Sequence, residues 1–175
     1  MATPHDGVGP VLVDQETIQA TVSRLAQEIS ADYADKPLHL IGVLKGSAVF
    51  VSDLMRALTI PVTVDFISIV PYGQVTASGV VRIRKDLDEA IEGRDVLVVE
   101  GISASGLTLS YLLRNFQTRN PASVKVCSFL LKQRERPPEM RPDYVGQEIP
   151  DVFVVGYGLD RDERYRNLPY IAQLD

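Results

Sequence analysis

The residues best able to do chemistry lie in one run, Val98-Val99-Glu100-Gly101-Ile102-Ser103-Ala104-Ser105-Gly106-Leu107-Thr108. An apolar strand leads into a turn of small residues, and the turn opens a helix. Such a junction aims backbone N–H groups and the positive helix end at one point, a seat for a phosphate. Ser105 and Thr108 add hydroxyl donors, and Gly106 allows a ligand close to the backbone. A plain strand-to-helix connection stays equally open on these residues, because it also favours glycine and serine. Glu100 is a functional signal, since a carboxylate at the end of an apolar strand is costly to desolvate. Gly101 to Thr108 has the spacing of a nucleotide-triphosphatase P-loop, but Leu107 stands where that loop needs lysine. Without that charge on the terminal phosphates the P-loop reading fails.

Other chemistries find little support. His5 and His39 lie far apart with no ligand-spaced partner, so no zinc site is expected. Cys127 is the single cysteine and lies in an apolar run, which excludes an internal disulfide and points to a core position in a reducing compartment. Neither a G-x-S-x-G elbow nor a GxGxxG fingerprint occurs. By themselves, Lys45 and Lys132 read as solvated lysines and Phe153 and Val154 as strand core. A net charge of −5 argues against broad binding to nucleic acid or an anionic membrane. The start of the chain lacks a cationic segment followed by an apolar run, so the expected location is cytoplasmic.

The elements that must position these residues alternate. At 175 residues, one domain is expected, with 1–10 as a loose arm. Asp14 can cap a helix with Ile18, Val22, Leu25 and Ile29 on one face. Leu38 to Leu44 reads as a strand buried on both faces, followed by a helix with Phe50, Leu54 and Leu58 on one stripe. Val62 to Val70 is a second strand, Pro71 to Gly79 a long loop and Val80 to Ile83 a returning strand. Asp95 to Val99, a glycine-containing turn and a helix through Leu109, Leu112, Leu113 and Phe116 come next. Val124 to Leu131 and a short Val152 to Val155 complete the strands. The pattern predicts an α/β fold with a mostly parallel sheet, covered on both faces, and a ligand at the carboxyl ends of its strands.

The run from Glu100 to Thr108 is similar to the phosphoribosyl-diphosphate motif of type I phosphoribosyltransferases, E-D-I-I-D-[ST]-G-x-T. Further matches follow in family order. They are Leu44-Lys45-Gly46-Ser47, Asp86-Leu87-Asp88 with Ile91 to Val96, Leu131-Lys132, Tyr144 to Gly146, Glu148 to Asp151, Phe153 to Asp160, and Tyr165 to Pro169. The chain thereby resembles the hypoxanthine phosphoribosyltransferases over roughly residues 12 to 174. The resemblance implies that fold, with a small base-binding hood made by the N- and C-terminal segments. It implies that Ser105, Gly106, Leu107 and Thr108 hold a 5′-phosphate, with Glu100, Gly101, Ser103 and Ala104 around the ribose. Lys45, Gly46 and Arg166 would meet pyrophosphate, the loop at Lys45 often carrying a cis peptide. Lys132, Phe153, Val154 and Asp160 would meet the purine, and Asp160 would bind Mg2+. Arg161, Asp162 and Glu163 read as a solvated charge run. The implied partners are a purine base or nucleotide, phosphoribosyl diphosphate and further copies of the chain as a dimer or tetramer.

Three positions depart from the family pattern. Gly101 stands where a second ribose-binding acid is usual, and Ala104 where an aspartate handles the proton at purine N7. Pro71 precedes Tyr72 where the mobile loop usually has serine. The expectation is a site that binds phosphate and base with impaired catalysis, and restoring aspartate at 101 and 104 together should switch activity on. A non-catalytic purine-nucleotide sensor or regulatory paralogue is the other reading, and a transcript-binding regulator on the same fold is disfavoured by the net charge.

Overall fold

The computed structural model of the chain describes residues 7–71, 81–134 and 140–174. Asp14 opens the first helix, α1 (Gln15–Asp32), by accepting a hydrogen bond from the Thr17 backbone N–H at 2.8 Å. The stripe Ile18, Val22, Leu25 and Ile29 is buried, as its spacing predicts. Strand β1 (Val8–Val13) precedes it, and β2 (Leu38–Leu44), α2 (Ala48–Ala57), β3 (Val62–Pro71) and β4 (Val81–Lys85) follow. The second half comprises β5 (Asp95–Ser103), α3 (Leu107–Gln117), β6 (Ser123–Gln133), β7 (Tyr144–Pro150), β8 (Val154–Val155) and β9 (Ile171–Leu174).

The main sheet has the order β4-β3-β2-β5-β6-β7, parallel throughout except for the β3–β4 pair. Successive side chains alternate between its faces. Leu40, Leu97 and Val99 join α1 and α2 in one apolar cluster, while Ile41, Val96 and Val98 pack with Leu109, Leu112 and Phe116 of α3 in another. That two-sided burial explains why the central strands read as unbroken apolar runs. Among the described residues no helix is long and apolar enough to cross a membrane.

A smaller sheet, β1-β9-β8, ties the beginning of the chain to its end, with Val8 opposite Leu174 and Val155 opposite Ala172. This corrects the loose arm expected over 1–10, since the strand starts at Val8 and runs through Gly9 and Pro10. Tyr144 to Pro150, which the sequence did not mark as a strand, forms an edge strand of the main sheet beside β6. Both are edge strands and carry Gly and Pro that a central strand tolerates poorly, so their composition concealed them. Strand β5 also outruns its expected end at Val99. Ile102 and Ser103 still pair with Leu130 and Leu131, which shortens the turn to Ala104, Ser105 and Gly106. Tyr72 and the rest of 72–80 lie outside the described residues, as does Val80, where the returning strand was expected to begin.

Phe129 fastens these layers together. Its ring lies 5.0 Å from that of Phe50 in α2 and 4.9 Å from that of Tyr157, between the main sheet and the C-terminal segment. Phe129→Ala is expected to cost about 3–5 kcal/mol in urea-unfolding experiments, because a buried aromatic leaves a cavity that three elements cannot all close.

Candidate active site at the carboxyl ends of the strands

Because β2, β5 and β6 run parallel, their carboxyl ends, at Leu44, Ser103 and Gln133, gather at one edge of the sheet. The short turn after β5 ends at Gly106, which adopts φ +74° in the left-handed region and caps α3 without a side-chain hydrogen bond. A residue with a Cβ is strained in that conformation, so glycine is what lets the strand feed the helix this tightly. Ser105 Oγ accepts a long bond from the Leu107 backbone N–H at 3.4 Å. The structure thus brings Ser105, Gly106, Leu107 and Thr108 together as a helix N-terminus open to an anion.

Beside this turn lies a cavity of about 290 Å³ lined by Ile102 from the end of β5, Ala104 from the turn itself, Lys132 from β6, and Phe153, Val154, Leu159 and Asp160 from the C-terminal segment. Residues far apart in sequence therefore share one wall. Lys132 is largely buried, its Nζ 3.2 Å from Asp151 Oδ1, which corrects its reading as a solvated lysine. Phe153 is 52% exposed, an aromatic face offered to the cavity rather than the core residue its surroundings in sequence suggest. Val154 is buried in β8 as expected. A larger cavity, about 450 Å³, opens at the opposite, amino ends of β2, β3 and β5 around His39, Thr63 and Arg94. Its size does not outweigh its position, because no helix N-terminus converges there.

Glu100 and Ser103 leave polar atoms unsatisfied beside that turn. Glu100 Oε2 and Ser103 Oγ are buried with no hydrogen-bond partner. Burial pushes the Glu100 carboxyl up to about 8, because nothing nearby compensates its charge. Buried groups without partners are rare in folded chains and mark places where another molecule can supply one.

The Lys45-Gly46 loop closes the other side, and the Leu44–Lys45 peptide is cis. A Cβ built on Gly101 would lie 2.8 Å from the Gly46 carbonyl oxygen, and one on Gly158 only 2.5 Å from it. The Gly46 carbonyl thus sits in a slot between two glycines, and in this conformation no side chain fits at 101. Lys45 Nζ meets Glu163 Oε2 at 3.0 Å, and Arg166 meets the same oxygen at 3.2 Å and Asp160 Oδ1 at 2.9 Å. Glu163 was read from sequence as a solvated charge, yet it connects the loop to the C-terminal segment. The i,i+3 spacing of Asp160, Glu163 and Arg166 was its one local signal. Pro71 closes β3, and Tyr72 lies outside the described residues.

The family model described as phosphoribosyl transferase domain matches residues 12–162. The chain is 52% identical over 172 residues to a hypoxanthine-guanine phosphoribosyltransferase of Mycobacterium avium, covering 94% of this chain and 85% of the relative. It is 47% identical over 171 residues to the protein of that name from Bacillus subtilis, covering 97% and 94%. Among solved structures, a hypoxanthine-guanine phosphoribosyltransferase from Bacillus anthracis with a HEPES molecule in its active site superposes with a TM-score of 0.92. It shares 43% identity and covers 96% of this chain and 99% of that one.

Two outcomes follow from the geometry. Gly101→Ala is expected to lower unfolding free energy by about 1–3 kcal/mol, since the added methyl meets backbone rather than a flexible side chain. For Glu100, the folded chain keeps a proton that the unfolded chain releases, so stability is lost as pH rises from the ordinary 4.5 to about 8. Glu100→Gln removes that loss. Its thermal midpoint, compared with the unaltered chain, should gain on the order of 5 °C between pH 5 and pH 8.

Proposed function

The chain belongs to the phosphoribosyl transferase family, and we propose that it is a purine-salvage enzyme converting hypoxanthine or guanine and phosphoribosyl diphosphate into IMP or GMP and pyrophosphate, at a rate lowered by Gly101 and Ala104. The observation that carries this reading is the shared cavity, in which Lys132, Phe153, Val154 and Asp160 face the end of the phosphate-binding strand.

Each group has a role in that reaction. The N-terminus of α3, with Ser105, Gly106, Leu107 and Thr108, holds the 5′-phosphate. Ser103 lies against the ribose, and Glu100 accepts hydrogen bonds from the ribose hydroxyls, which would satisfy its unpartnered oxygen. Phe153 stacks on the base under the small sheet β1-β9-β8, which serves as the hood. The Val154 backbone meets the base edge. Lys132 donates to the 6-oxo group and so selects hypoxanthine or guanine over adenine. The Lys45-Gly46 loop and Arg166 receive the pyrophosphate. A bond forms between the purine nitrogen and the anomeric carbon while the carbon–oxygen bond to diphosphate breaks, its electron pair leaving with pyrophosphate. The purine must also give up a proton. At position 104 a methyl group can neither take it nor stabilise positive charge on the ribose, and losing a general base costs ~10²–10⁴ in rate.

Among the described residues there is no cluster of three or more metal-ligating side chains. Magnesium keeps several waters and is held by one or two carboxylates together with substrate phosphates, so the single carboxylate of Asp160 fits an ion delivered with the diphosphate. When bound, it would offset the charge of the leaving group. We read the chain as cytoplasmic and as a dimer or tetramer.

A nucleotide-binding regulator is the second reading, favoured by the loss of acids at 101 and 104 while the base- and phosphate-facing positions remain. Spectrophotometric assay of nucleotide formation, beside calorimetric titration of guanosine monophosphate, separates the two. Slow turnover that requires magnesium is expected for the enzyme, whereas tight nucleotide binding with no turnover would support the regulator. Aspartate at both positions is not a clean rescue, because position 101 has no room beside the Gly46 carbonyl. Ala104→Asp alone, facing the cavity, should raise kcat at least tenfold if the missing base limits the rate.

A further inference from the structure

The two cations assigned to pyrophosphate are already joined by a carboxylate. Glu163 Oε2 accepts from Lys45 Nζ at 3.0 Å and from Arg166 at 3.2 Å, so one oxygen spans the loop after β2 and the C-terminal segment. Asp160 completes the group by meeting the Arg166 guanidinium at 2.9 Å through Oδ1, while its Oδ2 accepts the Glu163 backbone N–H at 3.0 Å. Lys45 and Arg166 bring two positive charges, Asp160 and Glu163 two negative ones, and the quartet is neutral.

Glu163 is held in place by its backbone. Asp162, Glu163 and Tyr165 all have positive φ, at 53°, 64° and 74°, which non-glycine residues rarely adopt. The Asp160 bond to the Glu163 N–H and the paired Arg161 and Arg164 backbones keep the turn in that shape. Such turns cluster where a chain must present a side chain in one direction. The Lys45 hydrogen bond, then that of Arg166, holds the Glu163 carboxyl below its ordinary range, so it stays charged wherever the protein is folded near neutral pH.

We propose that Glu163 is an internal stand-in for the diphosphate, a positioning residue that aligns Lys45 and Arg166 before substrate binds and must release both when the substrate's diphosphate arrives. This rests on the function proposed above. A diphosphate carries more negative charge than one carboxylate and offers several oxygens in place of one, so it wins the exchange. The displaced carboxylate then lies beside a like charge and favours departure of pyrophosphate. Glu163 is therefore a counterweight that weakens pyrophosphate binding and speeds product release. An ordinary structural role would give the opposite sign, since damage to the loop weakens binding.

The test is calorimetric titration of inorganic pyrophosphate with magnesium into the full chain and into Glu163→Gln, at about 0.05 M and about 0.5 M salt. Glu163→Asn, whose short amide suits the left-handed region, serves if the first variant folds poorly. The expected result is pyrophosphate binding tighter by on the order of two- to fivefold in the variant, the gain shrinking at high salt because the competing pairs are exposed. Pre-steady-state turnover should then show slower product release. Equal or weaker binding in both variants, with guanosine monophosphate still bound, overturns the stand-in role and leaves the proposed function intact. Tighter pyrophosphate binding without any guanosine monophosphate binding supports the stand-in role and sinks the purine reading. If neither ligand binds any form, both fall.

Discussion

Strand β5 is hydrogen-bonded in parallel to β2 on one side and to β6 on the other, and helices bury both of its faces. A strand so enclosed cannot shift by one residue, because the shift would turn Val98 and Val99 onto each other's faces. The register therefore fixes where Glu100 to Ser103 emerge and how far they stand from Leu44 and Lys132. The turn after β5, the Lys45 loop and the cavity beside Lys132 all inherit their positions from this ladder. It also explains why the cavity at the amino ends of the same strands, although larger, has no helix N-terminus among the described residues aimed into it.

Around that scaffold the site stores unsatisfied chemistry. Glu100 is carried into a setting where its charge has no partner, so burial raises its pKa and one carboxyl oxygen is left to accept from an arriving donor. Lys132 shows the converse, a largely buried amine paired with Asp151, which Arg134 also holds. Across the site, Lys45 and Arg166 are neutralised in advance by carboxylates of the same chain. Preformed pairs of this kind keep groups oriented at modest cost, since exposed ion pairs contribute little to stability and exchange easily.

The departures at 101 and 104 differ physically. Ala104 borders the open cavity, where a larger side chain would have room. Gly101 takes part in packing, because the Gly46 carbonyl occupies the room a side chain would need. Loop position and the residue at 101 are thus coupled, and reversing one without the other meets the backbone. The coupling runs on to Gly158, the second wall of the slot, and so to the segment that carries Asp160, Glu163 and Arg166.

Much of this was legible in the sequence for local reasons. A strand buried on both faces writes a largely apolar run, so β2, β5 and β6 could be read, and β3 showed itself by its β-branched residues. The stripes of α1, α2 and α3 follow from helical periodicity, and the small residues after Glu100 marked the turn into α3. Edge strands β1 and β7 were hidden, because half-solvated strands carrying Gly, Pro or polar residues leave no such run, and β9, central in the small sheet, is only four residues long. Other facts had no local signature at all. Only tertiary packing decided that Phe153 faces outward and Lys132 inward, and that one carboxylate at 163 reaches a lysine 118 positions earlier. The same holds for the space at 101, which is taken by a carbonyl from another loop. Composition and periodicity record what each residue does to its neighbours in the chain, whereas exposure, pairing and free volume are set by segments that meet only after folding.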